Sequence, residues 1–341
     1  MVVKKETNEF EETIYCPICN SQDYIIHDYK DNIWNFLSTF RNLKIKACKG
    51  CGFGYSFPEL ADSEVNVFYE KHYRAKNSPF HTDFKAIVKT KHFDTRSISQ
   101  LLLFKQFFNI GDKPVFLDIG PGKGQSFSSA TKLFTNPTCV AIEHNEGAAE
   151  ALERVYSAFT FNSLKDFNSA GKKADFILMS HSLEHFKLSW LGLFFKEIKQ
   201  AISPVGGILI EVPQVDMRLH HDLRVLDAPH FLFFSKTSLR KLFENNGWDV
   251  IFCESCGEIY ETLIEGHVGQ IKKENFLVQA TKIFKTICLK LYRALPSKIR
   301  SIIYFTKNNY LTRGFQIDNN FNYCGDRTII RLVARPKNHL P

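Results

Sequence analysis

Three groups of residues in this chain could do chemistry. The first is a pair of pairs, Cys16-Pro-Ile-Cys19 and, after 28 intervening residues, Cys48-Lys-Gly-Cys51-Gly-Phe-Gly. Two Cys-x-x-Cys knuckles bring four thiolates to one tetrahedral Zn(II), and four protein ligands leave no position open for water. The spacing therefore predicts a structural zinc on Cys16, Cys19, Cys48 and Cys51. The second group is VFLDIGPGKG, an apolar run ending in Asp118 and breaking into Gly120, Gly122 and Gly124. Bare backbone at a strand end lets a ligand lie against it, but a carboxylate at Asp118 would repel a pyrophosphate and suit a cationic ligand. The third group is histidine-rich: SHSLEHF holds His181, Glu184 and His185, RLHHDLRVLDAPHFLFFS holds His220, His221 and His230, and Tyr69 stands three residues before His72.

These groups need elements to position them. From residue 115, short apolar runs alternate with amphipathic segments: VFLDIG, CVAIE, FTFN, ADFILMS, GILIEVP and DVIFC are separated by helix-like stretches such as NEGAAEALERVY and LSWLGLFFKEIKQAI. Strands alternating with helices predict a mostly parallel sheet covered on both faces. Ser235 fits the N-cap of the helix beginning near Lys236, and Gly247 its stop. Cys253-Glu-Ser-Cys256 has no partner pair and falls at the end of the sixth strand. After Cys256 the alternation lapses and returns in TIIRLVARP, so an insertion interrupts one sheet. The domain expectation is a zinc-binding ribbon over 1–58, a helical linker or lid over 59–112, a core over 113–257 and 326–337, and a basic helical insertion over 258–325.

The turn at Asp118 to Gly124 resembles the first motif of the class I S-adenosylmethionine-dependent methyltransferases. That resemblance implies an α/β fold with a Rossmann-like seven-stranded sheet, and a cofactor bearing a sulfonium and an ammonium but no phosphate. It implies that Glu143, ending CVAIE, accepts the ribose hydroxyls, that Ser163 and Leu164 frame the adenine, and that His181 faces the cofactor or the strand end. The cysteine knuckles, Tyr69-Glu-Lys-His72-Tyr73 and Leu183-Glu184-His185 are similar to the zinc-knuckle subgroup found among sugar C-methyltransferases and enzymes of surface-polysaccharide and deoxysugar pathways. His185, an imidazole just beyond the fourth strand, could serve as general base with Glu184 to orient it, or the Leu-Glu-His segment only braces its loop; Tyr69 and His72 could close over the acceptor or pack their helix, and His230, matching a recurrent histidine of the subgroup, is a further candidate for acceptor contact. The 85 residues after Cys256 are too few for the second α/β domain that sugar C-methyltransferases carry.

Composition bounds the partners. The chain has 341 residues, 44% hydrophobic and 23% charged, with net charge +8, which suits a globular protein with a sizeable core. The opening MVVKKETNEFEE lacks the apolar middle of a secretory signal, and nine cysteines then read as reduced thiols in a cytoplasmic protein. Residues 272–313 hold ten Lys or Arg against Glu274 alone. Such a segment could bind the diphosphate of a nucleotide-sugar, lie on an anionic membrane surface, or form a solvated face of a dimerisation helix. The leading expectation is a methyltransferase acting on a small-molecule acceptor, an anionic nucleotide-sugar above all. The alternatives are an RNA or protein methyltransferase whose ribbon and insertion hold a polymer, and a zinc-ribbon binding module without catalysis.

Overall fold

The computed structural model describes residues 15–29, 40, 43–73, 75, 78, 81–87, 95–111, 113–218, 230–259 and 327–337. The basic segment over 272–313, and His220 and His221, lie outside these residues. None of the helices described is long and apolar enough to cross a membrane.

The larger sheet has seven strands: β4 (Val115–Ile119), β5 (Thr138–Ile142), β6 (Phe159–Phe161), β7 (Ala174–Ser180), β8 (Ile202–Pro213), β10 (Trp248–Ile259) and β11 (Arg327–Pro336). Their order is β10-β11-β8-β7-β4-β5-β6. All neighbours from β8 to β6 pair in parallel, while β11 runs antiparallel to both β8 and β10. This is the seven-stranded Rossmann-like sheet the resemblance implies.

Near-continuous apolar runs are what a sheet buried on both faces demands. Successive residues alternate between two cores: Phe116, Phe176, Leu178 and Leu209 face one, and Leu117, Ile177, Met179, Ile208 and Ile210 face the other. Helix α2 (Thr95–Phe107) closes the first face, where Phe104 stacks on Phe108 and Phe176. Removing such a ring from a packed core costs about 3–5 kcal/mol. The crossover helices begin on side-chain caps: Asn145 accepts from the Ala148 amide ahead of α4 (Glu146–Tyr156), and Ser235 accepts from Ser238 ahead of α7 (Lys236–Asn245). Gly247, at φ +74°, follows α7 as expected. Cys253 and Cys256 both lie in β10.

The smaller sheet is antiparallel, in the order β1-β2-β3-β9, with β1 at Tyr24–Asp28, β2 at Lys44–Cys48, β3 at Gly54–Phe57 and β9 at Leu232–Phe233. The ribbon anticipated over 1–58 thus takes its fourth strand from 180 residues downstream, pairing Gly54 with Phe233 and Tyr55 with Leu232. Further bonds tie the two sheets: the Ser235 hydroxyl donates to the Cys51 carbonyl, and Asn245 donates to the Ile18 carbonyl at 2.8 Å. Cys16, Ile18, Phe53 and Tyr55 share a core with Leu117 and Ile210. Helix α1 (Asp62–Phe68) then packs Val65 and Phe68 with Phe40, Phe231 and Phe233.

Candidate active site

The two cysteine knuckles fold alike. Cys16 N–H donates to Ser21 and Cys48 N–H to Phe53, both at 2.8 Å, while Asn20 and Gly52 donate back to Cys16 and Cys48, both at 2.9 Å. Asn20 and Gly52, four residues after the leading cysteine of each knuckle, both adopt positive φ. This shared turn aims the four sulfurs inward, so that all lie within 4.8 Å of one another. Cys16–Cys51 is 3.7 Å and Cys19–Cys48 is 3.5 Å; an ion bonded to four sulfurs at about 2.3 Å sets them about 3.8 Å apart. The contact with Cys51 draws the Cys16 thiol down to about 5, toward the thiolate a metal requires. Donor type, number and spacing all fit tetrahedral Zn(II).

Strand order reverses at β4, whose successor β5 lies on one side while β7 lies on the other. Ligands of such sheets bind in the crevice at the carboxyl ends of the strands flanking that reversal. Gly120, Gly122 and Gly124 occupy it at φ +73°, +57° and +70°. Gly120 and Gly124 are also packed: a Cβ would come within 2.5 Å of Ser182 Oγ in the first case and of the Tyr156 ring in the second. At Gly122 a Cβ would meet nothing within 4 Å, so open space begins there. A cleft of about 280 Å³ opens beside the turn between Lys123, Gln125 and Tyr156 on one side and His81 and Asp83 on the other. Arg154 holds that second wall by donating to the Phe84 carbonyl at 3.1 Å.

Asp118 is buried beneath the turn and accepts from the Ser126 hydroxyl. Burial raises its carboxyl to about 7, with Glu143 adding to the rise and Ser126 opposing it. A cation arriving here would restore the carboxylate. Glu143, half-buried at the end of β5, accepts from the Asn145 amide at 3.0 Å. Ser163 caps helix α5 (Leu164–Ser169), and Leu164 is buried in the core.

On the other side of the crevice, the loop after β7 turns sharply at His181, φ +53°, and forms a 3₁₀ turn over Leu183–His185. Glu184 is 1% exposed, and neither of its carboxylate oxygens has a hydrogen-bond partner among the described residues. His181 Nδ1 stands 3.2 Å from Glu184 and Nε2 3.6 Å from Glu211. The rings of His185 and His230 meet edge to face at 4.9 Å. Burial pushes the Glu184 carboxyl up against the pull of His185 and His230, and burial with the neighbouring His185 holds His230 at about 4. His230 is therefore neutral near pH 7.

Tyr69 opens a π-helical turn, Tyr69–Tyr73, and lies with Tyr73 edge-on to His185, both rings at 6.4 Å. Lys187, paired with Glu59 and Asp62, fastens α1 to this loop. His72 lies along Phe68, with the ring centroids 6.5 Å apart. A regular helix already sets residue 69 beside both 72 and 73, and the aromatic residues at 69 and 73 are the sequence signal for this wall. Sequence reasoning also passed over a buried ion cluster. Glu211 on β8 sits opposite Arg331 on β11, both at most 1% exposed, and Arg96 from α2 donates to the same carboxylate. Burial alone would raise Glu211, but Arg331 and Arg96 outweigh it and hold the carboxyl below its usual range. The signal was a single charge in each of two apolar runs, ILIEVP and IIRLVA.

The family model described as methyltransferase domain matches residues 90–251. No curated protein matches the chain. Among solved structures, coclaurine N-methyltransferase bound to N-methylheliamine and SAH is 14% identical, with 82% of this chain and 80% of that one covered and a TM-score of 0.42. A SAM-dependent methyltransferase from Archaeoglobus fulgidus is 16% identical, covering 70% and 91%, with a TM-score of 0.39. The cyclopropane synthase MmaA2 from Mycobacterium tuberculosis is 13% identical, covering 73% and 87%, with a TM-score of 0.41. With the sheet order, the reversal at β4 and the glycine turn already in place, the family match makes residues 90–251 a class I S-adenosylmethionine-dependent methyltransferase domain.

Proposed function

We propose that this enzyme transfers the methyl group of S-adenosylmethionine to a hydroxyl of a small-molecule acceptor, most fittingly a sugar or nucleotide-sugar of surface-polysaccharide or deoxysugar biosynthesis. The observation that carries the reading is the gathering of Glu184, His185 and His230 beside the glycine turn. A hydroxyl must lose its proton to become a nucleophile, and a buried carboxylate with two imidazoles is equipped to handle that proton. Tyr69 and Tyr73 offer flat apolar walls with polar tips, which suit a sugar ring. The ten basic residues between 272 and 313 suit the phosphates of a nucleotide-sugar.

On the donor side, Asp118 faces the methionine ammonium and Glu143 the ribose hydroxyls. Gly120, Gly122 and Gly124 keep the path between them clear. The four cysteines hold a structural zinc, supported by sulfur spacings that match a tetrahedral ion. Titration calorimetry with S-adenosylhomocysteine tests the reading, using the wild type beside Asp118→Ala and Glu143→Ala. Micromolar binding that both variants lose supports it; no heat and no thermal shift with the wild type overturns it. Nucleotide-sugars are then screened as acceptors by release of S-adenosylhomocysteine.

A further inference from the structure

We propose that Glu184, His185 and His230 form a second metal centre that takes one divalent cation of the Mn(II), Fe(II), Co(II) or Zn(II) class. One donor atom from each side chain, a carboxylate oxygen and two imidazole nitrogens, lies within 4.8 Å of the other two. Even an equilateral triangle of that edge has its centre about 2.8 Å from each corner, against about 2.1 Å for a metal–nitrogen bond. Closing the gap needs less than about 1 Å from each side chain, within the reach of small rotations about χ2.

A second, independent observation points to a cation. Glu184 is 1% exposed and both of its oxygens lack a hydrogen-bond partner among the described residues. An ionised carboxylate left so in a dry site is strongly unfavourable unless a positive charge joins it. His181 Nδ1, at 3.2 Å, is close enough to steady the carboxylate from behind, as outer groups commonly do for metal-bound carboxylates. The ligands are also held in advance. The Phe231 amide donates to the Glu184 carbonyl at 2.8 Å, and the Tyr29 hydroxyl both donates to the His230 carbonyl at 3.0 Å and accepts from its amide at 3.1 Å.

Three protein ligands leave positions open, in contrast to the closed four-cysteine site. An ion here would bind the acceptor hydroxyl and lower its pKa, so that Glu184, His185 and His230 assist loss of the proton as ligands of the ion rather than by taking it up themselves. The O–H bond breaks and its proton passes to water. The oxygen then attacks the methyl carbon, forming O–CH₃ as S–CH₃ breaks and the neutral thioether departs. This role rests on the function proposed above; binding of the ion does not.

The test uses the full-length, zinc-loaded protein titrated with Mn(II), with free Mn(II) counted by electron paramagnetic resonance and S-adenosylhomocysteine binding measured in parallel. Mn(II) is chosen because the thiolate site disfavours it. One bound Mn(II) per chain is expected, with imidazole nitrogen couplings in the pulsed spectrum. Glu184→Gln and His230→Ala should each weaken Mn(II) at least tenfold while S-adenosylhomocysteine still binds. Absence of Mn(II) binding by the wild type, absence of nitrogen couplings, or unchanged Mn(II) affinity in both variants overturns the centre. A wild type that holds Mn(II) but not S-adenosylhomocysteine overturns the proposed function and leaves the centre standing.

Discussion

The proposed donor and acceptor sides of the crevice are built by opposite means. The donor side is backbone: seven consecutive residues, Asp118 to Gly124, turn through three positive-φ glycines, with Ser182, Tyr156 and Leu152 packed against the first and last of them. The acceptor side is side chains from three separate stretches, 69–73, 184–185 and 230, brought together by a borrowed strand and a phenol. A backbone site tolerates little variation, because all three glycines need positive φ and two of them also have no room for a side chain. A side-chain site can change its ligand while its supports stay fixed. One frame can thus keep one methyl donor and serve different acceptors.

Experiments that separate the two sides should rank as follows. The largest effect belongs to the shared support: Cys51→Ser, or chelation of the ion, should cost more than about 4 kcal/mol in urea denaturation, because the ribbon's fourth strand also carries the acceptor side. A variant that melts only the ribbon would break this view. Next, Glu184→Gln should lower turnover by about 10²–10⁴-fold while leaving S-adenosylhomocysteine affinity within about twofold. Loss of cofactor binding in that variant would mean the two sides are not separable.

Asp118→Asn should do the reverse, weakening S-adenosylhomocysteine by about 10–100-fold in calorimetry through loss of a charged hydrogen bond. A subtler effect follows from pH. Burial places Asp118 at about 7, and a cationic ligand binds its carboxylate form, so affinity should rise as pH climbs through that value. About a tenfold weaker affinity at pH 6 than at pH 8 is expected, and Asp118→Asn should flatten the curve. The smallest effect is Tyr73→Phe, which keeps the ring against His185 and should change the acceptor KM by less than about threefold. Tyr73→Ala should raise it further.

The same division explains what the sequence made legible. The sheet, the glycine turn, the knuckles and the Ser235 cap were readable because each is a local pattern: period-two burial, fixed glycine spacing, paired cysteines, a hydroxyl before a helix. The meeting of His185 with His230 was not, since it depends on Phe231 pairing with Glu184. A helical period sets both His72 and Tyr73 beside Tyr69, so it does not choose between them. The Glu211–Arg331 pair hid in two runs, ILIEVP and IIRLVA, that are otherwise apolar.

That pair also sets an order in time. Glu211 precedes Arg331 by 120 residues, so during synthesis at about 5–20 residues per second its carboxylate waits roughly 6 to 24 seconds for the second of its two guanidinium partners. Until then β8 has an unfilled edge and its buried charge has Arg96 alone to meet it. The nascent sheet cannot close before its last strand arrives, and a ribosome that stalls within the intervening segment would leave the exposed edge to whatever chaperone or neighbouring chain reaches it first.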